Sequence, residues 1–303
     1  MIPLIYHPIY SALPLPDGHR YPIRKYELLY EAVAERYLKS SLFRFVEPQA
    51  LSVDDIKQTH CHTYTDNLVS GLLPAAKMRR IGFPWSERLI ERTLTSTGGT
   101  VLAVKEALEN GLAIHLSGGY HHAHFDYGSG FCLFNDLAVA AKHAISLGVD
   151  KVLIIDSDVH QGDGTASLMA QNSQIITLSL HCDKNFPARK PDSDLDVPFT
   201  KGAEDEEFLP SFKQVVQFAL DIHQPDLVIF DAGVDIHQDD ELGFLNVTLD
   251  GIRERDRWML STCQKRAIPI ACVIGGGYRS NHADLVPIHM SLVEAAARLK
   301  ELT

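Results

Sequence analysis

Two carboxylates and an imidazole fall at alternate positions in the segment IIDSDVHQGDGT, as Asp156, Asp158 and His160. Side chains alternate across an extended strand, so all three project to one side if the strand runs through them. Carboxylates gathered at a buried strand end repel one another and are costly to desolvate, and a bound cation offsets both terms. Mixed oxygen and nitrogen ligands suit zinc, with iron, cobalt and manganese left open. A catalytic zinc keeps three protein ligands and one open position, and Asp235 in DAGVDIHQDD is the candidate for a further carboxylate. In isolation the DxDxH pattern fits a turn-capping Asp156 and an ordinary loop histidine equally well. Its recurrence beside other polar strand ends favours the metal.

Two neighbouring segments supply what a hydrolytic metal site needs. His121 and His122 follow the glycines of SGGYHHAH. A pair of imidazoles there can take a proton from water and give one to a leaving amine. Asp156 and Asp163 are available to orient the two rings through their other nitrogens. Tyr278 follows Gly275, Gly276 and Gly277, a run that permits a close backbone approach, and its phenol can donate to a developing oxyanion. The glycine run lacks the GxGxxG or Walker spacing and a following lysine, which argues against a phosphate loop.

The elements that must position these residues are legible as a pattern. Apolar runs at 111–119, 150–158, 173–181, 225–233 and 268–277 are rich in Val, Ile and Leu, as strands covered on both faces are. They alternate with helical patterns: one after Ser86, one after Asp136, one opening on the acidic 204–207 stretch, and two more in 250–267 and 290–302. This alternation predicts a mostly parallel sheet flanked by helices, with polar residues collected where such sheets place ligands, at the strand ends. The first 85 residues hold one expected strand, PLIYH, one amphipathic helix, RKYELLYEAVAERYLKS, and a less regular stretch. No linker or repeat interrupts the chain, so residues 1–303 are expected to form a single domain.

Composition narrows the function classes. A net charge of −11 over 303 residues argues against nucleic-acid binding as a main task and suits a basic substrate better. Five scattered cysteines without a CxxC pair indicate neither a disulfide framework nor a thiolate zinc site. The N-terminal residues lack the features of a signal peptide, and no run has the length of a membrane span, so a cytoplasmic protein is expected.

Taken together, SGGYHHAHFDYGSGFCLFND, IIDSDVHQGDGT, TLSLHCDKNFP, DAGVDIHQDDELG and GGGY resemble the histone deacetylase superfamily, in its order, and specifically the class IV type and its bacterial relatives. RYPIRKYELL and RRIGFPWS resemble its N-terminal segments, so the likeness spans nearly the whole chain. The resemblance implies a three-layer arginase/deacetylase-like α/β fold and one zinc held by Asp158, His160 and Asp235. It moves Asp156 out of the ligand set, to orient His121, while Asp163 orients His122 and Tyr278 polarises the substrate carbonyl. It also implies potassium at Asp156, Asp158 and His160 with Ser179 and Leu180, and an acyl-lysine tunnel lined by Phe131, Phe186 and Leu242 with Gly130 as a backbone contact. Core packing is the less favoured alternative for the two phenylalanines. Two positions depart from many relatives: Gln161 stands in place of a second histidine, as in class IV, and Asn185 replaces a residue often aromatic, which would widen or polarise the tunnel mouth.

The expected activity is removal of acetyl or longer acyl groups from the amine of lysine, in a peptide, a protein or a small amide. Two alternatives stand beside it. A two-metal ureohydrolase needs more metal-binding carboxylates than the sequence places, and a catalytically silent acyl-lysine binder has no need of every ligand and Tyr278.

Overall fold

The computed structural model describes every residue except Leu38 and Thr303. Its centre is one sheet of eight parallel strands: β1 (Ile2–Ile5), β2 (Phe43–Val46), β3 (Leu112–His115), β4 (Val152–Asp156), β5 (Ile175–Cys182), β6 (Leu195–Phe199), β7 (Leu227–Asp231) and β8 (Ile270–Val273). Their spatial order is β2-β1-β3-β8-β7-β4-β5-β6, so the four strands whose ends carry polar motifs occupy the middle. The five residues of β4 and of β7, like the four of β3 and of β8, are all buried, as the continuous apolar runs require.

Among the described residues ten α-helices cover the sheet: α1 (Lys25–Tyr37), α2 (Val53–Lys57), α3 (His62–Val69), α4 (Ala75–Ile81), α5 (Glu87–Asn110), α6 (Asp136–Ser146), α7 (Asp163–Met169), α8 (Asp205–His223), α9 (Leu249–Lys265) and α10 (Val286–Glu301). Helices α5, α6 and α7 pack in series, as do α1, α10, α9 and α8, which makes two helical layers about the sheet. The long α5 begins where the Ser86 hydroxyl accepts the Leu89 N–H at 3.1 Å, and ends at Gly111 in the left-handed region with φ 82°.

Several boundaries differ from the sequence reading. Asn135, not Asp136, caps α6 by accepting the Ala138 N–H at 2.9 Å; Asp136 is the first helical residue and turns its carboxylate to the Gly119 and Tyr120 N–H groups. The stretch 41–85 is regular, holding β2, α2, α3 and α4. Strand β6 and helix α7 were not anticipated. Pro198 weakens β6 as a sequence signal, and the structure tolerates it because β6 is an edge strand.

Candidate active site

The expected strand 150–158 ends at Asp156, where the chain turns, and this separates side chains that strict alternation would align. Asp156 faces His121, its carboxylate 2.7 Å from Nδ1. Asp158 and His160 instead meet Asp235, which follows β7: His160 Nδ1 lies 3.0 Å from an oxygen of each carboxylate. The convergence of Asp156, Asp158 and His160 is thus corrected to Asp158, His160 and Asp235, whose ligand atoms all lie within 4.8 Å of one another.

The backbone builds this cluster. The second oxygen of Asp158 accepts the Gly276 N–H at 2.8 Å, and that of Asp235 accepts the Val159 N–H at 2.8 Å. Each carboxylate is thereby anchored through one oxygen and presents the other to a shared point. Only glycine permits the approach at 276, since a Cβ there would stand 2.2 Å from Asp235 and 2.4 Å from Asp158. Burial works against charge at His160, yet the two carboxylates hold its imidazolium up to about 10. Burial, with the Asp158 charge adding to it, pushes Asp235 up to about 7. A proton on His160 offsets one of the two carboxylate charges in the protein alone, and a divalent cation at the same point competes with that proton. Two buried carboxylates and one imidazole form a donor set that suits zinc.

The histidine pair sits beside the cluster after the Gly118–Gly119 turn. His121 Nε2 and His122 Nε2 are 3.1 Å apart, and His122 Nδ1 is 2.6 Å from Asp163 at the start of α7. The rings share a sequence position but not an environment. Burial opposes charge on His121, but Asp156 and Asp158 hold its pKa well above the usual imidazole range. Burial and the His121 charge push His122 down to about 4 despite Asp163. The geometry accommodates a cationic His121 donating through Nδ1 to Asp156, beside a neutral His122 whose Nδ1 donates to Asp163 and whose Nε2 is the acceptor.

A cavity of about 390 Å³ opens onto this point, lined by His122, Gly130, Phe131, His160, Asn185, Phe186, Leu242 and Tyr278, with Arg20, Glu241 and Phe244 at its border. Phe186 is 45% exposed and meets His122 edge-on at 4.8 Å, so it is a wall residue rather than core. Phe131 faces Tyr278 at 6.2 Å. Gly130 lies against the His122 ring, where a Cβ would come within 2.6 Å of Cδ2. The Tyr278 N–H donates to Asp240 at 2.6 Å, and among the described residues the phenol hydroxyl has no hydrogen-bond partner. Asn185 is buried in the cavity wall, donating to the Leu242 carbonyl at 2.7 Å, accepting the Phe244 N–H at 3.0 Å and placing its amide nitrogen 3.5 Å from His160 Nε2, so it ties two cavity walls together. Ser179 stands opposite Asp156 across β4 and β5, with its hydroxyl 2.9 Å from His181 Nδ1, and the Leu180 side chain is buried in the core. Gln161 donates to the Pro191 carbonyl at 2.7 Å and to Asp196 at 3.1 Å.

Five participants were not singled out from sequence. His124 shares Asp163 with His122, at 3.0 Å. Asp240 accepts the N–H groups of Leu242, Gly243 and Tyr278 and so joins the cavity loop to the Tyr278 backbone. Asp231, at the end of β7, is fully buried beside His121 and Asp156 with neither oxygen hydrogen-bonded. Lys25 is buried under the glycine run, its ammonium 2.9 Å from the Gly275 carbonyl, and burial lowers it to about 8 against the pull of Asp235 and Asp158. Arg20 borders the cavity from the segment before α1. Asp231 and Asp240 flank Asp235 in DAGVDIHQDD, so the density of acids there was a usable signal; Lys25 offered none.

Central strand ends that present carboxylates and imidazoles to one pocket define an α/β protein of the arginase/deacetylase type. The chain matches the histone deacetylase domain across residues 19–291 and belongs to the histone deacetylase family. It is 43% identical to an uncharacterised protein of Picosynechococcus sp. over 98% of both chains. It is 30% identical to histone deacetylase 2 of Arabidopsis thaliana over 80% of this chain, a match that takes in only 65% of that longer protein. The solved HDA15 HD domain shares the fold, with a TM-score of 0.84 over 98% of this chain and 90% of that one, at 20% identity. Family membership supports deacylase activity. Among the described residues no helix is long and apolar enough to cross a membrane.

Proposed function

We propose that this protein is a zinc-dependent deacylase that hydrolyses the amide of an acylated lysine or lysine-like amine. The observation that carries this reading is the buried meeting of Asp158, His160 and Asp235 at the foot of a cavity that also exposes His122 and Tyr278. One zinc held by those three residues supplies Lewis acidity, polarising the amide carbonyl and acidifying water.

The chain's own residues supply the rest. Phe131, Phe186 and Leu242 enclose the aliphatic part of the substrate and exclude water from it. Tyr278 donates its phenol proton as a hydrogen bond to the carbonyl oxygen as negative charge develops there. His122, held neutral, receives the proton of the attacking water at Nε2, and Asp163 fixes its tautomer through Nδ1. His121, cationic and oriented by Asp156, stabilises the anionic tetrahedral state, and the imidazolium of the pair then protonates the departing amine. The products are a carboxylate and a free amine. A potassium ion at Asp156, Asp158, His160, Ser179 and Leu180 belongs to the same proposal, as a charge that offsets the buried carboxylates from behind.

Two measurements test the reading together. Metal analysis after gentle purification is expected to find one transition metal per chain. Lysine peptides bearing acyl chains of increasing length are expected to be cleaved with a single optimum and to be protected by a zinc-chelating hydroxamate. A tightly bound manganese pair would point to guanidine hydrolysis, and peptide bound but never cleaved by the zinc-loaded protein would point to an acyl-lysine binder.

A further inference from the structure

The border of the catalytic cavity carries two opposite charges that the chemistry above does not use. Arg20 and Glu241 are both exposed, both line the cavity that leads to His160 and Tyr278, and both also line a second cavity of about 340 Å³ beside it. They form the ridge between the two spaces. Most other charged or ionisable side chains around the second cavity are already engaged. Arg279 reaches Asp239 at 3.2 Å and His237 at 3.1 Å, His19 bonds the Gly82 carbonyl at 2.8 Å and stacks on Phe83, and His282 accepts the Arg24 N–H at 3.4 Å. Asp17 borders the second cavity alone.

Glu241 is held in place: one oxygen accepts the Ser280 N–H at 2.6 Å and the other the Ser280 hydroxyl at 2.9 Å. Each oxygen retains a lone pair toward solvent. Arg20 differs, because among the described residues its guanidinium has neither an ion pair nor a hydrogen bond. A planar fork with no partner next to a pinned carboxylate fits a ligand end that presents an anion and a cation together.

Three kinds of acylated amine differ in the charge they bring to that ridge once the acyl end is in the cavity. A lysine within a polypeptide is uncharged at its α-carbon and offers only a neutral N–H to Glu241 and a neutral carbonyl to Arg20, each a weaker partner than an ion. An acylated diamine brings a cation, which suits Glu241 and is repelled by Arg20. A free amino acid brings both charges. We propose that, within the deacylase reading above, the substrate is a free Nε-acyl amino acid of lysine length, with its α-carboxylate on Arg20 and its α-ammonium on Glu241.

The test uses four probes that differ only at that end: Nε-acetyl-lysine with both charges, ε-acetamidocaproate with the carboxylate alone, N-acetylcadaverine with the ammonium alone, and Nα-acetyl-Nε-acetyl-lysine methylamide with neither. Kd by calorimetry and kcat/KM are measured for the metal-loaded wild type, Arg20→Met and Arg20→Lys. The position is exposed, so folding is not at risk from these changes. Nε-acetyl-lysine is expected to lead each single-charge probe by roughly 5-fold, the scale of one solvent-facing ion pair, and the lead is expected in Kd and KM rather than kcat. Arg20→Met is expected to erase the advantage of both carboxylate-bearing probes, Arg20→Lys to restore part of it, and added salt to weaken it. Equal affinities, a wild-type preference for the diamine or the blocked lysine, or a carboxylate advantage that survives Arg20→Met overturns the proposal. Cleavage without carboxylate preference removes the ridge and leaves the deacylase. Arg20-dependent carboxylate binding without cleavage leaves the ridge and removes the deacylase.

Discussion

Two clusters of the same composition, each two aspartates and a histidine, lie side by side at the end of the sheet. In the outer cluster, Asp158, His160 and Asp235, the imidazole lines the cavity; in the inner one, His121, Asp156 and Asp231, no side chain does. In the outer cluster both carboxylates are anchored by backbone N–H groups and share one imidazole nitrogen. In the inner cluster Asp156, anchored by the Asp158 N–H at 3.1 Å, takes the imidazole alone at 2.7 Å, and among the described residues Asp231 has no hydrogen-bond partner for its carboxylate. Composition therefore does not distinguish a metal-binding group from a proton-orienting one. What distinguishes them is whether the ring Nδ1 is shared by two carboxylates or taken by one, and whether the imidazole lines the cavity.

If that contrast is right, substitutions should grade by cluster. The largest effect is expected from Asp158→Asn or His160→Ala, which remove a metal ligand: bound zinc is lost, and turnover falls by roughly 10³-fold or more. Metal analysis and peptide hydrolysis check it, and retained zinc with normal turnover would break the outer assignment. Next comes Tyr278→Phe, which faces the outer cluster and removes one oxyanion donor, with an expected fall in kcat of about 10²-fold at unchanged zinc content.

In the inner cluster Asp156→Asn is expected to cost on the order of 10- to 100-fold in activity while the folded protein still takes up zinc. Loss of metal equal to that of Asp158→Asn would merge the two clusters into one. The smallest effect is expected from Asp231→Asn: turnover within a few-fold of wild type and a stability gain of about 1 kcal/mol. Burial and the charges of Asp156 and Asp158 raise the Asp231 pKa well above the ordinary carboxylate range. The folded protein then holds a proton that the unfolded chain releases, so this residue makes stability fall as pH rises above the unfolded carboxylate pKa. The gain in thermal midpoint for Asp231→Asn should accordingly be larger at pH 8 than at pH 5.

A further measurement sharpens the contrast with histidines remote from either cluster. His115 and His60 are buried neutral, burial pushing them down to about 3 and about 4. A depressed histidine contributes stability that is present above its unfolded pKa and lost as pH falls toward the folded value. Denaturation midpoints should therefore drop between about pH 6.5 and pH 4 in wild type, and less so in a variant with His115→Gln.

The sequence reading and the structure part company at specific places. Asp158, His160, His121, His122 and Tyr278 were legible because each lies in a short motif whose neighbours share one strand end. Asp156 was misplaced by the alternation rule because β4 stops at that residue, a boundary set by the turn at 157–160 and not by any change in apolar pattern. Asn185 read as a change at the tunnel mouth, and its role as a tie between walls was not legible, since its partners at 242 and 244 lie in a loop nearly sixty residues away. Asp240 and Asp231 were visible only as an acid-rich run.

Local chemistry along the chain determined the family, the alternation of strands and helices, and the residue types that can hold a metal and move a proton, because those depend on neighbours within a few positions. Tertiary packing alone decided which carboxylate faces which imidazole, that Lys25 lies buried under Gly275 at a separation of 250 residues, and that among the described residues Arg20 has no hydrogen bond or ion pair at the cavity border. Burial and partnership arise between segments distant in sequence, and it is burial and partnership that set whether an ionisable group is anchored, neutralised or free to meet a ligand.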